Sequence, residues 1–384
     1  MRIIHTADWH LGRLFYGIHL TDEQAYVLDQ FVNLVKDVKA DVVVIAGDIY
    51  DRAVPPTEAV QLLDEVLSQL LMDCRVPVIM IAGNHDSPER LAFGNRLLAR
   101  QGLHVCGTPG GGLAPILMED QTGPVYFVPL PYAEPALVRE KYRTEELLDH
   151  HEALRSMVNH LRGQVPAGAR TVGIAHAFVA GGLGSESERP LSVGGSGHVA
   201  PQIFHAFHYT ALGHLHNAQT AGQPHIRYAG SLLKYSFDEA THQKGVNLID
   251  LDAAGGVTVE QLALSPRRDV RCMKGFLADI LQAPPPAGHK DDYLMITLQD
   301  REPILDVMGK LRQLYPHVLH IERPYLSSTG ELRKPECDYR QQGEAQLFGT
   351  FFRQVTGEDL SPGQESRLAV LLDELFRQRR EAAE

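Results

Sequence analysis

Four short stretches set carboxylates, amides and imidazoles side by side: Asp8-Trp9-His10, Gly47-Asp48, Gly83-Asn84-His85-Asp86 and Gly213-His214-Leu215-His216. A further histidine, His176, follows the apolar run Thr171–Ala175. Taken singly, each is compatible with a strand-ending turn, since Gly, Asn and Asp favour turns. The recurrence of one event, an apolar strand ending in Asp, Asn or His, argues instead for a shared site. Asp8, His10, Asp48, Asn84, His176, His214 and His216 offer oxygen and imidazole ligands suited to two divalent ions. Mixed N/O ligation without thiolates points to Mn, Fe or Zn rather than Ca or Cu(I), and an open catalytic set favours Mn.

The chemistry follows from the residue types. In Asp8-Trp9-His10 and His214-Leu215-His216, i and i+2 side chains of an extended segment point the same way, so each pair is expected to face one site. Asp48 suits a bridge, with one negative charge and two oxygens between two cations. Asn84 adds a neutral oxygen and keeps the site positive for a phosphate. Such a two-metal centre activates a water and clamps an in-line phosphoryl displacement. His85 is then left as a proton donor to the leaving alkoxide, with Asp86 expected to orient its imidazole by a hydrogen bond. Because ligand histidines must be neutral, metal affinity is expected to fall below about pH 6.5.

The elements that must position these residues have a β-α-β-α-β rhythm. Residues 2–7, 42–46 and 76–82 read as strands, and 22–39 and 57–72 as helices. Near-continuous apolar strands suit a parallel sheet covered on both faces, with ligands beyond the carboxyl ends of its strands. Strands at 125–130, 171–175 and 209–212 and a helix at 144–162 follow, and short strands at 225–229, 245–251 and 257–262 are expected to complete a second sheet. The stretch 180–200, with Gly181-Gly182 and Gly194-Gly195-Ser196-Gly197, is long for a loop and reads equally as a lid or as plain surface. His198 within it is a further candidate contact, whereas His5, mid-strand, is expected to be buried and hydrogen bonded.

Composition bounds the rest. The chain has 384 residues, 44% hydrophobic and 22% charged, ordinary for a globular protein of two or three domains. Four scattered cysteines without a CxxC pair fit a reducing compartment and argue against a thiolate metal site. Met1-Arg2-Ile3-Ile4-His5 enters a strand directly and no apolar run is long enough to span a bilayer, so a cytoplasmic protein is expected. A net charge of −12 means that bound cations or a partner must supply much of the attraction for any polyanion.

Three domains are expected. Residues 1–265 carry the ligand pattern. Residues 266–325 form a small α+β cap, with strands at 274–280, 293–298 and 317–322 and a helix at 304–314. Residues 326–384 hold a linker and two helices, the second opened by the capping box Ser361-Pro362-Gly363-Gln364. The apolar faces of these helices, Leu347, Phe348, Phe351 and Phe352 on one and Leu368, Leu371, Leu372 and Leu375 on the other, either pack within the chain or dock on a partner.

The order DxH, GD, GNHD, H, GHxH resembles the calcineurin-like metallophosphoesterase superfamily. The opening Ile4-His5-Thr6-Ala7-Asp8-Trp9-His10-Leu11-Gly12, the late cap and the terminal helices resemble the SbcD family of DNA-repair nuclease subunits. The resemblance implies an α/β fold, a four-layer α-β-β-α sandwich with a capping domain and C-terminal helices. It implies one metal held by Asp8, His10, Asp48 and His216, another held by Asp48, Asn84, His176 and His214, and His85 as the catalytic histidine. It also implies double-strand exonuclease and hairpin or blocked-end endonuclease activity in an SbcCD complex. There the terminal helices bind the coiled-coil base of the ATPase SbcC, and a homodimer of the nuclease chain sits within a heterotetramer. Distant relatives carry a histidine shortly after the GD motif; here the stretch is Asp48-Ile49-Tyr50-Asp51-Arg52, so no role of that histidine carries over. A phosphatase or cyclic-nucleotide phosphodiesterase of the same superfamily shares the motifs and is opposed by the cap and terminal helices. A non-catalytic scaffold is opposed by the complete ligand set.

Overall fold

Two six-stranded sheets carry the site. In a computed structural model of the chain, which describes all residues except 111, 144–148, 189–196, 284–288, 303, 325–343, 357 and 382–384, the first sheet runs Val257–Ala263, Gly245–Leu251, Arg2–Thr6, Val42–Ile45, Val78–Ile81, Leu103–Cys106. Its last four strands are mutually parallel. The second sheet runs Gln219–Ala221, Gln223–Tyr228, Tyr209–Gly213, Arg170–His176, Gly123–Leu130, Ile116–Asp120, with its four inner strands parallel. Parallel strands need crossover connections, and the helices Thr21–Val38 and Thr57–Ser68 provide them in the first sheet.

Strand periodicity sets the layering. Ile3, Val42, Val44, Ile79 and Ile81 from the first sheet pack with Val125, Phe127, Val172, Ile174 and Ala211 from the second in one buried core. The intervening residues Ile4, Val43, Ile45 and Met80 are just as buried on the opposite face. The outer face of the second sheet packs Val128, Leu130, Ala175 and Leu212 against Leu154, Met157, Val158 and Leu161 of the helix His150–Arg162. The result is a four-layer α-β-β-α sandwich.

The strands Gly245–Leu251 and Val257–Ala263 join the first sheet, not the second as expected. Gly245–Leu251 pairs antiparallel with Arg2–Thr6, whose other edge already holds Val42–Ile45, so the late strand fills the vacant edge of the first. The expected helix over 57–72 ends at Ser68 and continues as a π-helical turn, Gln69–Asp73. Leu103–Cys106 and Ile116–Asp120 are edge strands of the two sheets that hydrophobic patterning did not reveal.

Contact density divides the chain into two units, Met1–Val270 and Arg271–Glu384. The second contains the sheet Val270–Gly275, Tyr293–Leu298, Val318–Glu322 over a core of Leu277, Ile280, Leu294, Ile296, Leu311 and Tyr315. The strand expected at 274–280 ends at Gly275, and Leu277–Gln282 is helical. Leu277 and Ile280 are buried three residues apart, a helical spacing, and the Asp300 carboxylate accepts from the Leu277 amide. The terminal helices are Glu344–Thr356 and Pro362–Glu381. Gln364 reaches back to the Ser361 amide at 2.9 Å, as a capping box requires. The linker expected over 326–342, Pro284-Pro285-Pro286 and Gly194-Gly195-Ser196 lie outside the described residues. Among the described residues, no helix is long and apolar enough to cross a membrane.

His5 shows what a buried polar residue costs and contributes. Its Nε2 faces the Leu212 carbonyl at 3.1 Å and must donate; its Nδ1 therefore accepts from the Tyr209 hydroxyl at 2.9 Å. The neutral ring satisfies both nitrogens. Burial lowers its pKa to about 3, against a weaker upward pull from the Leu212 bond. The unfolded chain therefore binds a proton here that the folded chain refuses between about pH 6.5 and 3. Stability from His5 is full above pH 6.5 and is lost as pH falls through that window, by about 1.4 kcal/mol per unit. Denaturant unfolding of His5→Gln is expected to show a shallower loss of stability from pH 6.5 to 5 than the parent chain; equal slopes would refute the assignment.

Candidate metal centre

The strand ends bring the expected residues together. Asp8, His10 and His216 place ligand atoms within 4.8 Å of one another, and Asp48, His176 and His214 do the same. All six are buried. The Asn84 Oδ1 joins the second group, 2.9 Å from His176 Nε2 and 3.2 Å from His214 Nδ1. Asp48 connects the groups: its Oδ2 is 3.6 Å from His10 Nε2 and 3.5 Å from His176 Nε2. Those gaps are long for hydrogen bonds but fit ligands sharing an ion at about 2.0–2.2 Å from each. In the first group His10 Nε2 and His216 Nε2 face each other at 3.0 Å, a spacing that suits two lone pairs aimed at one cation.

The backbone reaches this geometry differently from the extended-segment expectation. Asp8, His10, Asp48 and His214 have positive φ (53°, 46°, 49° and 105°), a region L-residues occupy at a cost. The i, i+2 argument consequently fails for His214 and His216, which fall into different groups. The strained loops are held by their neighbours. The Gln24 amide donates to the Trp9 and His10 carbonyls at 3.0 and 2.8 Å, and Asp8 accepts from the His214 amide at 2.9 Å. Gly83, expected only to turn the chain out of the sheet, is required by close approach: a Cβ there would lie 2.1 Å from Asp48 Oδ1. A Cβ on Gly47 would lie 2.3 Å from His176 Nδ1.

Asp86 does not orient His85. Its carboxylate accepts from the backbone amides of Ile49, Tyr50 and Gly83 at 3.1, 2.9 and 2.9 Å, clamping the loops after Val42–Ile45 and Val78–Ile81 together. A carboxylate three residues past Gly83 meets these free amides before it meets the ring. His85 Nδ1 instead donates to the Asp51 carbonyl at 2.8 Å, and among the described residues Nε2 has no hydrogen-bond partner. His10, Asp51 and His85 also lie within ligand distance of one another, a grouping that shares His10 with the first.

Electrostatics fit two cations. Burial pushes Asp8 well up, while Asp48, also pushed up by burial, is carried well below its usual range by His176 and His10. His176 resists burial because Asp48 and Asp8 surround it, and it rises to about 9. Burial drives His10 and His216 down and takes His214 to about 3, so these rings are neutral, as ligands must be. His176 donates Nδ1–H to the Ala46 carbonyl at 2.9 Å, which leaves Nε2 for an ion once its second proton is gone. Ion binding at neutral pH is therefore expected to expel a proton from His176, and affinity to climb up to about pH 9. Calorimetric Mn2+ titrations in buffers of different ionisation enthalpy check this; identical heats in all buffers would exclude proton release.

Several residues that hold the site carried no sequence signal. Ser187, Glu188, Glu239 and Lys244 bond to or around His216, and none belongs to a spaced motif. His198 lies on the short strand His198–Val199, its ring 4.3 Å from that of Phe178.

A buried two-group ligand set at the carboxyl ends of parallel strands in a four-layer sandwich defines a metallophosphoesterase. Residues 1–152 match the calcineurin-like phosphoesterase family, and residues 266–356 match the type 5 capsule protein repressor C-terminal domain. The SbcD component of the SbcCD nuclease of Staphylococcus saprophyticus is 31% identical over 376 residues, which cover 98% of this chain and 99% of that one. The chain belongs to the SbcD family, and it is a metal-dependent phosphodiester hydrolase. Among solved structures, TT1561 of Thermus thermophilus aligns with a TM-score of 0.40 at 15% identity, covering 68% of this chain and 98% of that one. A dimetal phosphatase from Danio rerio aligns with a TM-score of 0.41 at 13% identity, covering 68% and 96%.

Proposed function

We propose that this chain is the nuclease subunit of an SbcCD-type DNA-repair complex and cleaves DNA phosphodiesters with two Mn2+ ions. The observation that carries the reading is the pair of buried ligand groups joined through Asp48 Oδ2. One ion is assigned to Asp8, His10, Asp48 and His216, and the other to Asp48, Asn84, His176 and His214. When bound, the ions supply a water of lowered pKa and charge neutralisation at the phosphate. The chain supplies the rest. Asp48 would contribute one negative charge to both ligand groups, and Asn84 would add an oxygen without adding charge. His85 is held by Asp51 through Nδ1, which leaves Nε2 as the ring atom for proton transfer to the leaving oxygen.

The domain reading has residues 1–265 as the nuclease domain, 266–325 as a DNA-binding cap and 326–384 as the linker and helix pair that bind the ATPase SbcC. Leu347, Phe348 and Phe351 on the first helix and Leu371 and Leu375 on the second are 40–59% exposed, although the two helices touch, which leaves apolar surface for a partner helix. A partner would also supply the DNA attraction that a chain of net charge −12 lacks. We further assign exonuclease activity on duplex ends, endonuclease activity at hairpins and blocked ends, a homodimer within a heterotetramer, and a cytoplasmic, nucleoid-associated location. The test is cleavage of linear and hairpin-ended duplex DNA with Mn2+, with and without SbcC. Efficient hydrolysis of small phosphomonoesters with no cleavage of either DNA would replace this reading with a phosphatase.

A further inference from the structure

His216 is held from behind by a directional chain of hydrogen bonds. Its Nδ1 is 2.6 Å from Ser187 Oγ, and Ser187 Oγ is 2.5 Å from Glu239 Oε1. The serine has one hydrogen. A buried carboxylate can only accept, so that hydrogen goes to Glu239, and the serine oxygen accepts from His216 Nδ1–H. Glu239 is kept ionised from its other side: Lys244 Nζ is 2.5 Å from Oε2. Lys244 spends its remaining hydrogens on the His216 carbonyl at 2.7 Å and Ser231 Oγ at 2.8 Å. Glu239 Oε1 also accepts from the Tyr235 amide at 3.2 Å. Glu239 is 0% exposed and Lys244 7% exposed, so water does not compete for these bonds. Glu188 completes the mount by accepting from the His216 amide at 2.6 Å.

We infer that Ser187 and Glu239 are positioning residues that fix the Nδ1–H tautomer of His216 and so reserve its Nε2 for an ion. The inference rests on the proposed role of His216 as a ligand. Its physical content is the direction of the chain. A carboxylate at 239 forces the serine hydroxyl to point away from His216. An amide at 239 donates as well as accepts, so the serine can turn its hydrogen toward Nδ1 and stabilise the tautomer whose Nε2 carries a hydrogen and cannot ligate. The stretch after Gly181-Gly182 thus has a function that neither a lid nor plain surface describes. Ser187 and Glu188 bring it behind a metal ligand, and Gln219 ties it down by bonding the Leu183 amide and carbonyl at 2.9 and 2.8 Å.

The experiment is equilibrium dialysis of the full chain against Mn2+, read as ions bound per chain, with circular dichroism to verify folding. Glu239→Gln and Ser187→Ala are expected to weaken one of the two ions by roughly 10–100-fold and leave the other unchanged. Ser187→Thr, which keeps the hydroxyl, is expected to restore loading. Because Glu239→Gln strips a buried lysine of its partner, it can fail to fold; Ser187→Ala then decides alone. Parental affinity for both ions in folded Ser187→Ala and Glu239→Gln overturns the inference. A Ser187→Thr variant as deficient as Ser187→Ala also overturns it, since packing and not the hydroxyl would then hold the ring. His216→Ala separates the two levels. If it too binds both ions, the ligand assignment itself has failed; if it loses one while the Ser187 and Glu239 variants lose none, only the positioning role has failed.

Discussion

Asp48→Asn is expected to fold, to bind fewer than two ions and to cleave DNA at least about 10²–10³-fold more slowly. Asparagine has nearly the same shape as aspartate, so packing is preserved at a position 2% exposed. It cannot, however, do both of aspartate's tasks. Asp48 Oδ1 accepts from the His85 amide at 2.9 Å while Oδ2 faces His10 and His176 at 3.6 and 3.5 Å. If the asparagine oxygen keeps the His85 amide, its NH2 group points hydrogens at the ions. If it turns its oxygen to the ions, two N–H donors confront each other over His85. Either way the negative charge between the two groups is gone, and the pull that raises His176 to about 9 weakens with it. Metal analysis of dialysed protein and a Mn2+-dependent duplex cleavage assay read both effects. A variant carrying two ions at half the parental rate would refute the bridging assignment.

His85→Ala should separate binding from chemistry. Both ions are expected to stay, because the His85 backbone amide still donates to Asp48 and the two ligand groups joined by Asp48 do not include its ring. DNA cleavage should fall by about 10²–10⁴-fold, the range for loss of a general acid. The ring lies edge-on to His10 at 4.7 Å between centroids, which places it beside the first ligand group. The substrate supplies an internal control. Bis(4-nitrophenyl) phosphate releases a nitrophenolate that needs no proton, so His85→Ala should retain most of its activity there while losing DNA cleavage. An equal loss on both substrates would indicate that His85 holds an ion or the phosphate and is not the proton donor.

The strand ends were legible because two independent patterns coincide on them. Apolar runs mark the parallel strands, and Asp8, His10, Asp48, Asn84, His176, His214 and His216 interrupt those runs at their carboxyl ends. Burial in the sheet forces the first pattern, and ligand chemistry forces the second. The sheet assignment of Gly245–Leu251 was not legible, because an antiparallel strand carries no address in its own residues; the open edge of Arg2–Thr6, at the far end of the chain, decides where it pairs. The strand over 274–280 misled for a related reason: Leu277 and Ile280 suit a short helix as well as a strand, and the core they enter settles the matter.

The partition of the site follows the same line. Residue types alone pointed to a cluster of oxygen and imidazole groups, to Asp48 as a bridge and to His85 as a histidine left over. Residue spacing put His214 and His216 on one side and the resemblance divided them between two ions; the tertiary structure places them in different groups, with left-handed backbone at His214 between the two rings. It reassigned Asp86 from His85 to three backbone amides, because free N–H groups at two strand ends lie nearer than the ring. It also recruited Ser187, Glu239 and Lys244, whose partners lie far away along the chain or carry no spacing of their own. Ligands are visible in a sequence because their chemistry restricts residue type. The residues that aim them are not, because a hydrogen-bond donor or acceptor can be borrowed from anywhere the fold brings near.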